Sequence, residues 1–177
     1  WQKILKQNMQ SFIPFDFNYK KPNRRCYSIN TYMPQQNKRP SVKIYAAIDT
    51  SGSICSDEIT YFISELYTIT KQFGILDLKV IFCDARVHNT VDIKSEKDIP
   101  KLKPQGGGGT SFIPIFEELK KYRVGSQDIL IYFTDGYGDF PSKKPPHQTI
   151  WMTTDKKPEE YPFGNVIKCN MPKQKEI

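Results

Sequence analysis

From Val42 onward the chain alternates two hydrophobic rhythms. Val42–Ile48 is a short run of β-branched, aromatic and small apolar residues, which predicts a strand. Ser56 followed by Asp57 and Glu58 predicts a helix start, with a hydroxyl cap and acidic residues at the positive end of the helix dipole. Ile59, Phe62, Ile63, Leu66, Ile69 and Phe73 then recur at helical spacing, and Gly74 predicts the stop. Leu78–Cys83 reads as a second buried strand, with Arg86–Ile93, mixed in polarity, as a short edge strand paired to it. Phe112, Ile115, Phe116, Leu119 and Tyr122 predict a second helix. Asp128–Thr134, Thr149–Thr153 and Asn165–Cys169 predict three more strands. Strands alternating with helices predict an α/β fold, a mostly parallel sheet with helices on its faces. With only two clear helices after Val42, one face is expected to be thinly covered or shielded by the preceding segment.

Residues 1–40 break this rhythm, being rich in Gln, Asn, Lys and Pro with scattered aromatics between Phe12 and Phe17. A short helix over Trp1–Met9 is expected, then a long irregular arm through Arg24, Arg25, Tyr27, Tyr32 and Pro34. The chain therefore divides into an N-terminal extension, 1–40, and a domain, 41–177. The extension either packs on the body or is the tail of a preceding domain. An opening on Trp1 instead of Met reads as an excised or processed fragment of a longer protein.

Composition narrows the class. Of 177 residues, 38% are apolar and 13% aromatic, enough to build the core of one domain and too many for a disordered segment. The longest apolar runs fall far short of the roughly eighteen residues of a membrane span, so a soluble protein is expected. The net charge of +7 comes from 26 basic and 19 acidic residues, with the lysines dispersed. That pattern suits a solvated surface and an acidic partner, and no nucleic-acid module accompanies it. Cys26, Cys55, Cys83 and Cys169 form no CxxC pair. His88 and His147 are isolated, read as an edge-strand and a loop residue. No zinc pattern results, and free thiols in a reducing cytoplasm are the expectation.

The candidate chemistry lies in three pieces. Ala46–Ser53 is an apolar run ending in Asp49, with Ser51 and Ser53 two and four positions on. Gly106–Gly109 closes on Thr110, and Tyr132–Gly136 is a second apolar run ending in aspartate, Asp135. Asp49, Ser51, Ser53, Thr110 and Asp135 are hard oxygen donors at strand or loop ends, the kind that Mg²⁺ or Mn²⁺ prefers. Five donors leave one octahedral position for another ligand. Each piece alone reads equally as an ordinary loop, glycine linker or turn. In this order they converge, because ligands of open α/β sheets bind at the carboxyl ends of strands where strand order switches. Asp139 is an additional carboxylate, read as a turn residue.

Asp-x-Ser-x-Ser, a later Gly-Gly-Thr and a later Thr-Asp-Gly resemble the metal-ion-dependent adhesion site of von Willebrand factor A domains. The closer likeness is to a bacterial and archaeal group of von Willebrand A-like domains. These form the C-terminal part of predicted metallopeptidase-like proteins and are often associated with MoxR-type AAA ATPases. Arg24-Arg25, Ile48–Ile54, Gly107–Phe112, Asp135–Pro141, Trp151 and Pro162–Gly164 carry that likeness, over roughly residues 22 to 170. The resemblance implies a Rossmann-like, mostly parallel sheet with one antiparallel edge strand and helices on both faces. It makes Ser51 and Ser53 direct ligands, Thr110 a hydroxyl that joins when a partner is engaged, and Asp49 and Asp135 direct or water-mediated carboxylates. The sixth position would take a partner's Asp or Glu. Gly108, Gly109, Gly136 and Tyr137 are the candidate partner contacts. The proline-rich segment after Asp135 departs from the family's usual helices, which makes a helix-shift relay unexpected here.

The expected function is thus a metal-dependent protein-binding module and not an enzyme. The common zinc-peptidase motif His-Glu-x-x-His is absent, so any peptidase-like half would precede Trp1. A phosphatase-like hydrolase is the first alternative. Aspartate-nucleophile phosphatases carry a second Asp two positions after the first, where this chain has Ser51, and they need a lysine that Asp135–Asp139 does not obviously supply. A vestigial structural domain is the second alternative.

Overall fold

The computed structural model describes residues 1–12, 17–29, 31–36, 42–51, 56–73, 78–101, 108–154 and 157–169. Helix α1 (Gln2–Phe12) comes first, then strands β1 (Phe17–Pro22) and β2 (Pro34–Gln36), which pair antiparallel. The body follows as β3 (Ile44–Asp49), α2 (Ser56–Gln72), β4 (Leu78–Cys83), β5 (Val87–Ile93), α3 (Ile113–Lys121), β6 (Ile129–Thr134), β7 (Gln148–Thr153) and β8 (Asn165–Lys168). The main sheet has the order β5-β4-β3-β6-β7-β8, and every pairing is parallel except that of β5 with β4. This is the mixed α/β sheet with one antiparallel edge that the sequence predicts. Each predicted strand is present, with ends displaced by a residue or two.

Strand order reverses at β3. The chain leaves β3 toward β4 and β5, then returns through α3 to β6 on the opposite side. Their carboxyl ends therefore flank the switch point, the place where open α/β sheets bind ligands. The two-residue period of the strands sorts the core into two layers. Ile44, Ala46, Ile48, Ile129, Ile131 and Phe133 pack with the apolar stripe of α2, where Phe62 stacks on Phe133 at 4.6 Å. Tyr45, Ala47, Leu130, Tyr132 and Trp151 pack with Phe112, Ile115, Phe116 and Leu119. Each large side chain buried this fully stabilises the fold by about 1.5–3 kcal/mol.

The two faces are covered differently. Leu5 and Met9 of α1 are fully buried in the α2 layer, and Trp1 packs against Phe62, so the N-terminal helix is part of the core. On the other face the link from β6 to β7 forms no helix. Aromatic packing replaces it. Trp151 is fully buried among Phe112, Tyr132, Phe140 and Tyr161, and its Nε1 donates to the Phe163 carbonyl at 2.8 Å.

Two expectations for the N-terminal segment are corrected. The first helix runs to Phe12, three residues beyond its expected end, and Phe12 packs against the same core as Leu5 and Met9. The arm has regular structure, since β1 and β2 pair and a 3-10 helix spans Arg24–Ile29. Residues 37–41, where the arm was divided from the body, lie outside those described. Among the described residues no helix is long and apolar enough to cross a membrane.

Candidate metal centre

Asp49 closes β3, the central strand, and is 1% exposed. The register Ile48↔Phe133 continues to place Asp49 beside Thr134, not beside Asp135. Thr134 Oγ1 donates to Asp49 Oδ2 at 2.8 Å and accepts the Gly136 amide at 3.0 Å. The Ser51 amide donates to Asp49 Oδ1 at 3.0 Å, and the Ser51 side chain also bonds the carboxylate. Burial pushes the Asp49 carboxyl above its ordinary value, the Ser51 and Thr134 bonds pull it back in part, and the nearby Asp135 charge raises it further. Among the described residues no lysine or arginine pairs with Asp49.

Asp135 lies one position past β6 and is partly exposed. Its Oδ1 accepts the Tyr137 amide at 3.1 Å, which folds the loop back over the strand end. Gly136 makes the turn possible, with φ of 95°, a conformation that costs glycine little and other residues more. Tyr137 stands 58% exposed at the tip. Behind the rim, Thr50 donates twice to the Cys83 carbonyl, from its amide at 2.9 Å and its hydroxyl at 3.2 Å, tying the β3 loop to β4.

Thr110 reaches this rim through backbone stitching. The Ser111 amide donates to the Asp84 carbonyl at 3.3 Å on the β4 side, and the Phe112 amide to the Asp139 carbonyl at 3.0 Å on the β6 side. Ser111 and Asp139 form an isolated parallel bridge. Gly138 lies so close to this segment that an added Cβ would sit 2.9 Å from Thr110 Cγ2 and 3.0 Å from its carbonyl oxygen. Thr110 is therefore packed against the loop that carries Asp135. Gly108 and Gly109 are exposed just ahead of it. Asp139, read as a turn residue, is exposed and takes part through its backbone.

Of the five predicted donors, the fold thus brings Asp49, Ser51, Thr110 and Asp135 to one rim. Ser53, with Gly52, Gly106 and Gly107, lies outside the described residues. The donors present fit a hard divalent cation: one buried carboxylate held by neutral partners, a second carboxylate beside it, and hydroxyls. Among the described residues no three His, Cys, Asp or Glu side chains cluster, so hydroxyls have to complete any cation site here.

Sequence reasoning missed two residues. Thr134 reads in the sequence as the end of a strand and the start of the Thr-Asp-Gly motif, with no role of its own, and the register makes it the neighbour of Asp49. Asp84 follows β4 directly, and its carboxylate accepts the amides of Arg86 at 3.0 Å and Gly108 at 3.3 Å. An apolar run ending in aspartate, Val80–Asp84, was the available signal, the same one that marked Asp49 and Asp135. His88, on edge strand β5, points to that carboxylate, with Nε2 2.8 Å from Oδ2. His147 lies in the loop before β7, as the sequence predicts. It is buried against Phe116, and burial holds its imidazole below the ordinary value.

Residues 44–170 match the family described as a VWA-like domain (DUF2201), VWA standing for von Willebrand factor A. The match begins at Ile44, so Arg24, Arg25 and the arm fall outside it. A protein of Thermotoga maritima, described as uncharacterized, is 34% identical over 125 residues. That alignment covers 68% of this chain and 28% of the relative, so the chain spans just over a quarter of the length of the curated relative it matches. With its mixed six-stranded sheet and the Asp49 and Asp135 loops at the switch point, the chain belongs to the VWA-like domain family (DUF2201).

Proposed function

We propose that this domain is a metal-ion-dependent protein-binding module. Asp49, Ser51, Ser53, Thr110 and Asp135 hold Mg²⁺ or Mn²⁺, and a partner protein's Asp or Glu completes the coordination. When bound, the cation supplies an electrophilic position that two carboxylates neutralise only formally, leaving it attractive to a third anion. The observation that carries this reading is Asp49, a carboxylate buried at the switch point with neutral hydrogen-bond donors and a second acid nearby. A buried charge of that kind is costly unless a cation compensates it. The net charge of +7 favours an acidic partner on approach. Gly108, Gly109 and Tyr137 are exposed beside the site and would meet that partner, whereas Gly136, expected as a fourth contact, is buried and serves the turn. The resemblance directs the search toward MoxR-type AAA ATPases.

The non-enzymatic reading rests on the same burial. A carboxylate 1% exposed and bonded through both oxygens is poorly placed to attack a phosphate ester, whereas it is well placed to anchor an ion. Calorimetric titration of Mg²⁺ and Mn²⁺ into the chain, with and without acetate, tests the proposal. Cation binding that acetate strengthens and Asp49→Ala abolishes is the expected result. No binding in either condition would overturn it, as would metal-dependent phosphatase turnover lost in Asp49→Ala.

A further inference from the structure

Thr110 sits in a segment, Gly108–Ser111, whose two ends are held by one residue outside it. Asp84 Oδ2 accepts the Gly108 amide at 3.3 Å, and the Asp84 main-chain carbonyl accepts the Ser111 amide at 3.3 Å. Side chain and backbone of one residue thus bracket the Gly109–Thr110 pair. Asp84 is itself fixed from three directions. Its Oδ1 accepts the Arg86 amide at 3.0 Å, its own amide donates to the Arg86 carbonyl at 3.0 Å, and His88 Nε2 stands 2.8 Å from Oδ2. The fit at Gly108 is close, since a Cβ there would lie 3.1 Å from Asp84 Oδ2. Opposite the bracket, Gly138 backs Thr110. The loop is gripped between the end of β4 and the loop after β6.

Asp84 is buried at the rim, and a buried carboxylate is destabilising unless its partners are good. Burial pushes its carboxyl up, but the His88 imidazole beside it and the Arg86 and Gly108 amides outweigh that and hold it below the ordinary value. The ionised, acceptor-only form is the one that accepts the Gly108 and Arg86 amides together.

We infer that Asp84, held by His88, is a positioning residue for the metal centre: by clamping Gly108 and Ser111 it sets the Thr110 hydroxyl where a cation and its carboxylate partner require it. The inference rests on the metal-dependent reading of the site. It gives Asp84 a role through Thr110 and none as a ligand.

The experiment is a thermodynamic cycle on the 177-residue chain, with Mn²⁺ titrated in the presence of saturating acetate. Asp84→Ala is expected to weaken Mn²⁺ by about tenfold or more, the usual cost of removing an outer-shell partner, and Thr110→Ala, which removes the hydroxyl itself, by at least as much. In the Thr110→Ala background, Asp84→Ala should change affinity by less than about twofold, because its route to the ion is already gone. Asp84→Asn keeps one acceptor oxygen but sets an amide donor against either the Gly108 or the Arg86 N–H, so it should recover only part of the affinity. Independent multiplication of the two losses would overturn the inference, since Asp84 would then act by its charge or on the whole fold. So would an Asp84→Ala chain that binds as the unaltered one does. Failure of the unaltered chain to bind Mn²⁺ overturns the metal reading itself, and this inference with it. Should Asp84→Ala not fold, amide exchange in the unaltered chain decides: Gly108 and Ser111 should both be protected, and a freely exchanging Gly108 amide would sink the clamp.

Discussion

Thr134 Oγ1 donates to Asp49 Oδ2 over 2.8 Å, across the junction of the two strands that flank the switch point. The same oxygen accepts the Gly136 amide, so one hydroxyl orients the anchoring carboxylate and closes the turn that presents Asp135. Thr134→Val keeps the shape and removes both bonds in a fully buried position. We expect a loss of about 1–3 kcal/mol in urea denaturation at pH 7, with Thr134→Ser losing much less. A Thr134→Val chain as stable as the unaltered one would mean that the hydroxyl organises nothing.

Asp49 predicts an opposition between stability and binding. Its carboxyl is raised in the folded state, chiefly by burial, so the fold holds its proton more tightly than the unfolded chain does. Its contribution is therefore fully present below the unfolded value and is lost as pH rises through the folded one. Asp49→Asn removes that penalty. In EDTA at pH 7 the variant should be more stable by about 1 kcal/mol, the scale of other substitutions that relieve a functional site. Thermal melts should show the gap closing as pH falls toward the ordinary carboxylate range, and Mn²⁺ should stabilise only the unaltered chain. An Asp49→Asn chain less stable at pH 7 would refute the strain.

Gly138 predicts a steric route to the same site. A Cβ there would stand 2.9 Å from Thr110 Cγ2, 3.0 Å from the Thr110 carbonyl oxygen and 3.1 Å from Phe112 Cζ. Two of these neighbours are tied down, one as backbone and one as a fully buried ring. Gly138→Ala should cost about 1–3 kcal/mol and weaken Mn²⁺, because relief comes through movement of Thr110. Gly109→Ala, with nothing within 4 Å of the added Cβ, is the matched control and should leave stability unchanged.

The buried thiols should be inert. Burial pushes Cys83 and Cys169 up to about 12, and Cys83 Sγ lies 3.0 Å from Tyr132 Oη in a sealed layer. Thiolate is the reactive form, so neither should label with iodoacetamide in the native chain at pH 8, while both label in urea. Peptide mapping by mass spectrometry reads the outcome. Rapid native labelling of Cys83 would show that the β3–β4 rim opens.

Much of the architecture was legible in the chain. The apolar runs at 44–49, 78–83 and 129–134 and the helical stripe from Ile59 to Phe73 are set by local periodicity, and local periodicity survives folding when both sheet faces are buried. The order of Asp49, Ser51, Thr110 and Asp135 along the chain, with residue types suited to a hard cation, likewise needed no coordinates to notice. The irregular reading of the arm failed because Phe17–Pro22 pairs with Pro34–Gln36 across an intervening 3-10 helix, in a segment with weak alternation. The helix at Gln2–Phe12 looked like part of a separate extension because nothing in its own sequence says what Leu5 and Met9 pack against.

What only the tertiary structure decided is which residues meet. Register is a relation between strands, and a shift by one residue exchanges the neighbours on every face. It set Thr134, not Asp135, beside Asp49. The reversal of strand order at β3 brought two loops, 85 residues apart by the Asp49–Thr134 bond, to one rim. The bracket of Asp84 around Gly108 and Ser111 arises between the end of β4 and a glycine loop, two places that no periodicity connects. The chain by itself determined the donors and the elements that carry them, since these depend on residue type and near neighbours. Their convergence depended on long-range pairing, which only the folded sheet supplies.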